Sequence, residues 1–161
     1  MIFVGVGSNL SVPDVGGPLE VVAAAVRALA AEGVSIAAQS PWYRSAPVPA
    51  SDQPWYVNGV LRVETALDAA GLLASLHKVE ADFGRVRRRV NEARGLDLDL
   101  LAYDDQVSAD APLLPHPRLH QRAFVLLPLR DLAPDWRHPV SGLDLAALIA
   151  ALPPGQVTEP L

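Results

Sequence analysis

The chain contains no cysteine and a single lysine, Lys78, among its 161 residues. The missing cysteines exclude disulfide bonds and thiolate metal sites. No apolar run approaches the roughly 18 residues that a membrane-spanning helix needs, and the apolar start, Met1–Val6, is too short and uncharged for a signal peptide. We therefore expect a cytoplasmic protein without a membrane partner.

Positive charge is scarce, and much of it lies in one place. The net charge is −5, which argues against a nucleic-acid partner. Five of the twelve arginines nevertheless fall between Arg85 and Arg94. In an acidic protein, such a cluster is typical of a local anion site. A solvated, flexible connection is the alternative interpretation.

The hydrophobic pattern predicts an α+β fold in one domain. Half of the residues are hydrophobic and 19% are charged, as in folded globular proteins. Strands are predicted at Ile2–Val6, Val34–Arg44 (interrupted near Ser40), Trp55–Thr65 and through Asp97–Asp99, and helices at about Pro18–Ala31, Asp68–Phe83, Gln121–Leu132 and Leu143–Leu152. This order suggests a sheet with helices on one face. Residues 1–161 would form a single domain, with 153–161 as a loose tail.

Two carboxylates share one face of the predicted strand near residue 98. Leu96, Leu98 and Leu100 alternate with Asp97 and Asp99, which is the period of a strand. Side chains two residues apart on a strand are about 6.5 Å apart, so the two acids can share a ligand. Their mutual repulsion favours a bound cation, and hard oxygen ligands favour Mg²⁺. The alternative is a strand whose polar face is solvated.

The arginine cluster runs directly into this acidic strand, and the combination suits a polyphosphate. A metal would bridge phosphate oxygens, while Arg85, Arg87 and Arg94 would neutralise transferred charge. A loop that carries arginines can also close over a site and exclude water.

Three further groups are ambiguous when taken alone. His116, between two prolines and followed by Arg118 and Arg122, could contact a phosphate, although such a histidine more often packs or caps. Tyr56 and Asn58 share one strand face and suit a flat heterocycle, or they form an ordinary sheet surface. The helix flank of Leu73, His77 and Glu80 is most simply a helix edge that meets solvent.

Taken together and in order, these motifs resemble the 6-hydroxymethyl-7,8-dihydropterin pyrophosphokinase family of folate biosynthesis. The segments that carry the resemblance are Gly7–Leu10, Tyr43–Ser45, Gln53–Asn58, Glu80 with Gly84–Arg87, Arg94–Asp99, Leu114–Arg118 and Arg122–Leu126. The resemblance implies a ferredoxin-like α+β sandwich with a mostly antiparallel sheet, acting as a monomer. It also implies a diphosphokinase, a transferase that moves pyrophosphate from ATP to the pterin's hydroxymethyl group and releases AMP.

The resemblance also implies roles for individual residues. Asp97 and Asp99 would bind two Mg²⁺ ions and act in catalysis with Arg85 and Arg94. The ATP-binding residues would be Leu73, His77, Glu80, Arg87, Leu100, His116 and Arg122. The pterin-binding residues would be Ser45, Val48, Gln53, Tyr56, Asn58 and Phe124. Asn91–Gly95 departs from the family's usual aromatic-Gly-Pro-Arg-Thr segment, and the aromatic residue that would cap the pterin is missing.

Two alternative functions remain open at this point. Gly7–Ser8 and an Asp-x-Asp strand also occur in nucleotidyltransferases, but there the two motifs lie close together in sequence. A non-catalytic nucleotide-binding module on a ferredoxin-like sheet is the second alternative.

Overall fold

The computed structural model describes residues 1–84 and 95–161, which form a six-stranded sheet and four α-helices. The strands are β1 (Ile2–Ser8), β2 (Ser35–Gln39), β3 (Tyr43–Ser45), β4 (Tyr56–Glu64), β5 (Asp97–Tyr103) and β6 (Thr158–Pro160). The helices are α1 (Pro18–Ala31), α2 (Ala69–Asp82), α3 (Ala123–Leu132) and α4 (Leu145–Ala150), with a short 3-10 helix at Leu119–Gln121. None of the helices in these two ranges is long and apolar enough to cross a membrane.

The described strands pair only in antiparallel fashion, in the order β5-β1-β4-β3-β6, with β2 also paired to β4. Ile36 of β2 lies opposite Val63, and Tyr43 of β3 lies opposite Asn58. β2 and β3 therefore occupy one edge of β4, separated by the predicted interruption at Ser40 and Pro41. The predicted α+β fold with an antiparallel sheet is confirmed.

Helices cover both faces of the sheet. Val4 and Leu61 pack in a core shared with α1 and α2. Phe3 and Val60, which directly precede Val4 and Leu61 in sequence, pack in a second core with α3 and α4. The prediction of helices on one face is therefore wrong, because β1 and β4 are apolar on both sides.

The C-terminal residues are part of the sheet. Thr158–Pro160 pairs with β3, so that Ser45 lies opposite Thr158 and Arg44 opposite Glu159. The Arg44 guanidinium also forms an ion pair with the Glu159 carboxylate. The expected loose tail is therefore not observed, because β3 offers an unpaired edge whose backbone groups accept one more strand.

Candidate functional site

A cleft opens on the α3 side of the sheet, where β4, β1 and β5 run side by side. Gly5 and Gly7 of β1 form part of its floor, and their missing side chains leave the space above the strand open. Asn58 of β4 lies opposite Gly7, and Asp99 of β5 lies opposite Gly5. The local sequence thus builds a polar depression in a surface that is otherwise apolar.

One wall of the cleft carries the two predicted metal ligands. Asp97 and Asp99 are half-buried and line the cleft together, whereas Leu98 between them is buried in the opposite core. The described residues hold no cluster of three or more His, Asp or Glu side chains around a metal site. Two carboxylates with room for water and phosphate oxygens nevertheless fit Mg²⁺, which keeps several waters and binds through few carboxylates.

The opposite wall holds a side-chain amide in a fixed orientation. Asn58 is only 6% exposed, and its Oδ1 accepts a hydrogen bond from the buried Ser45 hydroxyl. A Cβ atom at Gly7 would lie 3.0 Å from Asn58 Nδ2, so a glycine there gives the amide its room. Tyr56, two residues earlier on β4, also lines the cleft. The arrangement offers hydrogen-bonding groups beside an aromatic ring.

A loop between β3 and β4 closes one side of the cleft. Val48 and Gln53 of this loop line the cleft. Asn9, which is 2% exposed, donates from Nδ2 to the Pro54 carbonyl oxygen at 3.0 Å and to Gln53 Oε1 at 3.3 Å. Asn9 therefore fixes the loop to the end of β1. Its role was not predicted, although it lies in the Gly7–Leu10 motif.

The start of α3 supplies the remaining side. Arg122 and Phe124 both line the cleft, and Arg122 Cζ lies 5.4 Å from the centroid of the Phe124 ring. A guanidinium at this distance from an aromatic face is stabilised by the ring's quadrupole. The pair thus places a cation and an aromatic surface next to each other, on the same face of the sheet as Asp97 and Asp99.

His116 lies on the segment that follows β5 and is held as a neutral imidazole. Its Nδ1 accepts a hydrogen bond from the backbone N–H of Arg118 at 3.1 Å. Burial, followed by the charge of Arg122, lowers the pKa of His116 to about 4, although Asp97 opposes the shift. Because Nδ1 is an acceptor, the neutral ring carries its proton on Nε2, which is then a donor.

We expect the imidazole of His116 to titrate near pH 4 rather than near 6.5. As the pH falls, the imidazole is protonated in the unfolded chain before it is protonated in the folded one. The contribution of His116 to the free energy of unfolding therefore decreases as the pH drops from about 6.5 to about 4. NMR titration of the ring protons and denaturant unfolding across this range test both statements. A His116→Asn variant should lose this part of the pH dependence, whereas a ring that titrates near 6.5 contradicts the assignment.

The structure brings nine of the predicted site residues to this cleft. They are Ser45, Val48, Gln53, Tyr56, Asn58, Asp97, Asp99, Arg122 and Phe124. Leu73 and the buried Leu100 pack with the α1 and α2 core, on the other face of the sheet. Glu80 is 1% exposed and His77 is exposed. Arg85, Arg87, Arg94 and the unusual residues 91–94 lie outside the described residues.

Comparison with known proteins assigns the chain to a family. The model of the 7,8-dihydro-6-hydroxymethylpterin-pyrophosphokinase (HPPK) family matches residues 3–134. The 2-amino-4-hydroxy-6-hydroxymethyldihydropteridine pyrophosphokinase of Pseudomonas aeruginosa is 42% identical over 155 residues, covering 94% of this chain and 91% of the relative. The protein of the same name from Methylorubrum extorquens is 41% identical, covering 83% of this chain and 82% of the relative.

Longer relatives contain the same region. The folic acid synthesis protein fol1 of Pneumocystis carinii is 33% identical, and the alignment covers 91% of this chain but only 19% of that protein. A crystal structure described as HPPK-DHPS in complex with substrates superposes with a TM-score of 0.67 and 11% identity, covering 93% of this chain and 42% of the other. That structure supports the fold. The family match and the bacterial relatives together show that this chain belongs to the HPPK family, the transferases that move pyrophosphate from ATP to hydroxymethyldihydropterin in folate synthesis.

Proposed function

We propose that the cleft holds the reacting groups, and that this chain transfers pyrophosphate from ATP to 6-hydroxymethyl-7,8-dihydropterin and releases AMP. One observation carries the proposal: all six residues expected to bind the pterin line the same cleft as the two expected metal ligands. Membership of the HPPK family supplies the reaction, and the cleft supplies a place where both substrates can meet.

The pterin would lie between the β4 wall and the start of α3. Phe124 and Tyr56 would pack around the ring, and the Asn58 amide, oriented by Ser45, would bind its polar edge. Val48 and Gln53 would cover the ring from the loop that Asn9 fixes. An aromatic and amide pocket selects a flat heterocycle with donors and acceptors along one edge.

Asp97 and Asp99 would hold the two Mg²⁺ ions of the reaction. When bound, Mg²⁺ neutralises charge on the triphosphate and holds its oxygens for in-line attack. The carboxylates face the cleft from β5, so the hydroxymethyl group of a bound pterin can approach the β-phosphorus from the β4 side. Arg85 and Arg94 are proposed to stabilise the transferred group.

The nucleotide is proposed to lie along the edge of the sheet near β5. Arg122 lines the cleft and would contact phosphate there, while His116 would donate from Nε2. The proposed nucleotide site is completed by Leu73, His77, Glu80, Arg87 and Leu100. The first three lie on α2, which packs against the other face of β5. The base would then lie at the β5 edge of the sheet, and the triphosphate would extend into the cleft.

We expect ATP, Mg²⁺ and the reduced hydroxymethyl pterin to yield AMP and the pterin diphosphate. Chromatographic separation of the nucleotides after reaction with purified protein measures this directly. A nucleotide-binding module would bind ATP without releasing AMP, and an ordinary kinase would release ADP. Either result contradicts the proposal when the protein is folded.

The remaining expectations concern assembly. The chain is proposed to act as one domain, 1–161, and as a monomer, which sedimentation velocity with and without ATP can test. The cytoplasmic location and the lack of a nucleic-acid partner stay predictions.

A further inference from the structure

The last residues of the chain, Gln156–Leu161, lie outside the family match of 3–134 and yet contact two walls of the cleft. We propose that this C-terminal segment positions the pterin pocket, with Gln156 as the main positioning residue. The inference rests on the proposed function, because it assigns the segment to the pterin half of the site.

The first contact is with the start of α3. Gln156 Oε1 accepts a hydrogen bond from the Ala123 N–H at 2.9 Å, and its Nε2 donates to the Gln121 carbonyl oxygen at 2.8 Å. The first N–H groups of a helix have no partner within the helix, and the Arg122 side chain does not cap α3. Gln156 therefore takes the place of a cap. Ala123 lies between Arg122 and Phe124, so this bond fixes the backbone that carries both side chains.

The second contact is with the loop that covers the cleft. The Ala46 N–H donates to the Val157 carbonyl oxygen at 3.0 Å, directly after β3 pairs with β6. Ala46 itself lines the cleft, two residues before Val48. Successive residues, Gln156 and Val157, thus join the start of α3 to the start of the loop, and the distance between these two walls sets the width of the pterin pocket.

A separate contact holds the rest of α3. The buried Tyr43 of β3 donates from its hydroxyl to the Asp131 carboxylate, near the C-terminal end of the helix. Burial and the Asp131 carboxylate raise the pKa of Tyr43 to about 12, so this donor keeps its proton. Neither the Tyr43–Asp131 bond nor the apolar core involves Gln156. Replacement of Gln156 should therefore loosen the cleft end of α3 and leave the fold in place.

The test replaces Gln156 with Met, which keeps the length of the side chain and removes its hydrogen bonds to Ala123 and Gln121, together with a longer local one to the Pro153 carbonyl oxygen. Gln106→Met, in the exposed turn after β5, is the matched control. Two shortened chains separate these contacts from the pairing of β6 with β3: one ends at Val157 and keeps both Gln156 and Val157, and the other ends at Gly155 and loses both. Titrations measure the dissociation constant of 6-hydroxymethylpterin, a stable pterin, and that of ATP with Mg²⁺. Amide exchange is followed at Ala46 and Ala123.

We expect Gln156→Met to weaken pterin binding by about tenfold, which corresponds to about 1.4 kcal/mol, and to speed exchange at Ala123. ATP binding should change less, because Arg122 lies next to the lost bonds but Leu73, His77 and Glu80 of the proposed nucleotide site lie on α2. The chain that ends at Gly155 should lose more pterin affinity than the one that ends at Val157, and it should also exchange faster at Ala46.

The outcomes separate this inference from the proposed function. Unchanged pterin affinity in folded Gln156→Met overturns the inference alone, as does an equal loss of affinity for both substrates, which a general loosening of the fold would cause. Pterin binding by the unaltered protein without AMP release overturns only the proposed reaction. Failure of the unaltered protein to bind pterin overturns both. If Gln156→Met does not fold, the difference between the two shortened chains decides.

Discussion

Asp97→Asn should remove most of the Mg²⁺-dependent turnover while the protein stays folded. Asp97 is half-buried and lines the cleft beside Asp99, so its carboxylate lies at the cleft surface, where a metal would be held, and not in the core. The amide has nearly the same shape but lacks the charge that binds Mg²⁺. Loss of a metal contact worth several kcal/mol lowers kcat by about a thousandfold. AMP formation at saturating substrates, measured as a function of Mg²⁺ concentration, gives the result.

Two further variants test whether the effect is specific to the acidic face of β5. Asp99→Asn should show a similar loss, because Asp97 and Asp99 face the cleft from the same side of β5. Asp105→Asn, in the exposed turn at the far end of β5, should behave as the unaltered protein does. Unchanged turnover in Asp97→Asn would show that the acidic face of β5 is merely solvated. Circular dichroism and thermal unfolding establish that each variant is folded.

The sequence predicted the acidic strand well because one local rule decides it. Alternation of Leu and Asp places Leu98 and Leu100 in the core, and it leaves Asp97 and Asp99 on the other face. The same rule applied to β4 separated Leu61 and Val63 from Asn58. A strand with one polar face has a single orientation that buries its apolar side chains.

The helix faces were harder to predict, and α1 shows why. A spacing of 3.6 residues favours Leu19, Val22, Val26 and Leu29 as the buried stripe. In the structure, Val21 and Ala25 are fully buried with Val22 and Leu29, while Leu19 is 43% exposed. The helix is rich in Val and Ala on nearly every side, so hydrophobicity alone does not determine which side meets the sheet.

Contacts between distant segments could not be predicted at all. The hydrogen bonds that Asn9 donates to Pro54 and that Gln156 accepts from Ala123 join residues 45 and 33 positions apart. Each hydrogen bond depends on the relative positions of two separate elements in the folded chain. The sequence around an Asn or Gln does not indicate its hydrogen-bond partner, because a side-chain amide can bond to any backbone N–H or carbonyl group within reach. The sequence, with the family resemblance, therefore pointed to nine residues that line the cleft, but not to Asn9 and Gln156, which hold its walls together.

The second large effect is expected at Glu80, because its carboxylate reaches from α2 to the backbone of the acidic strand β5. β5 lies at the edge of the sheet, and Glu80 Oε2 accepts a hydrogen bond from the Leu98 N–H at 2.9 Å. Leu98 lies between Asp97 and Asp99, so Glu80 helps to fix the backbone that orients both acids. Glu80→Ala should lower the free energy of unfolding by about 3 kcal/mol, since it leaves a buried donor without this acceptor. Turnover should also fall. Denaturant unfolding and single-turnover AMP formation measure the two effects.

Glu80→Gln separates this supporting role from a direct nucleotide contact. Glutamine keeps an oxygen that can accept the Leu98 N–H, so it should retain most of the stability that alanine loses. Glu64→Ala, at the exposed end of β4, is the control for loss of a carboxylate on the sheet. If Glu80 acted only on ATP, alanine would weaken ATP binding and leave the unfolding free energy unchanged. Glu80 is 1% exposed and accepts a hydrogen bond from the β5 backbone, so we expect Glu80→Ala to lower the free energy of unfolding. The loss of turnover would then result from displacement of Asp97 and Asp99.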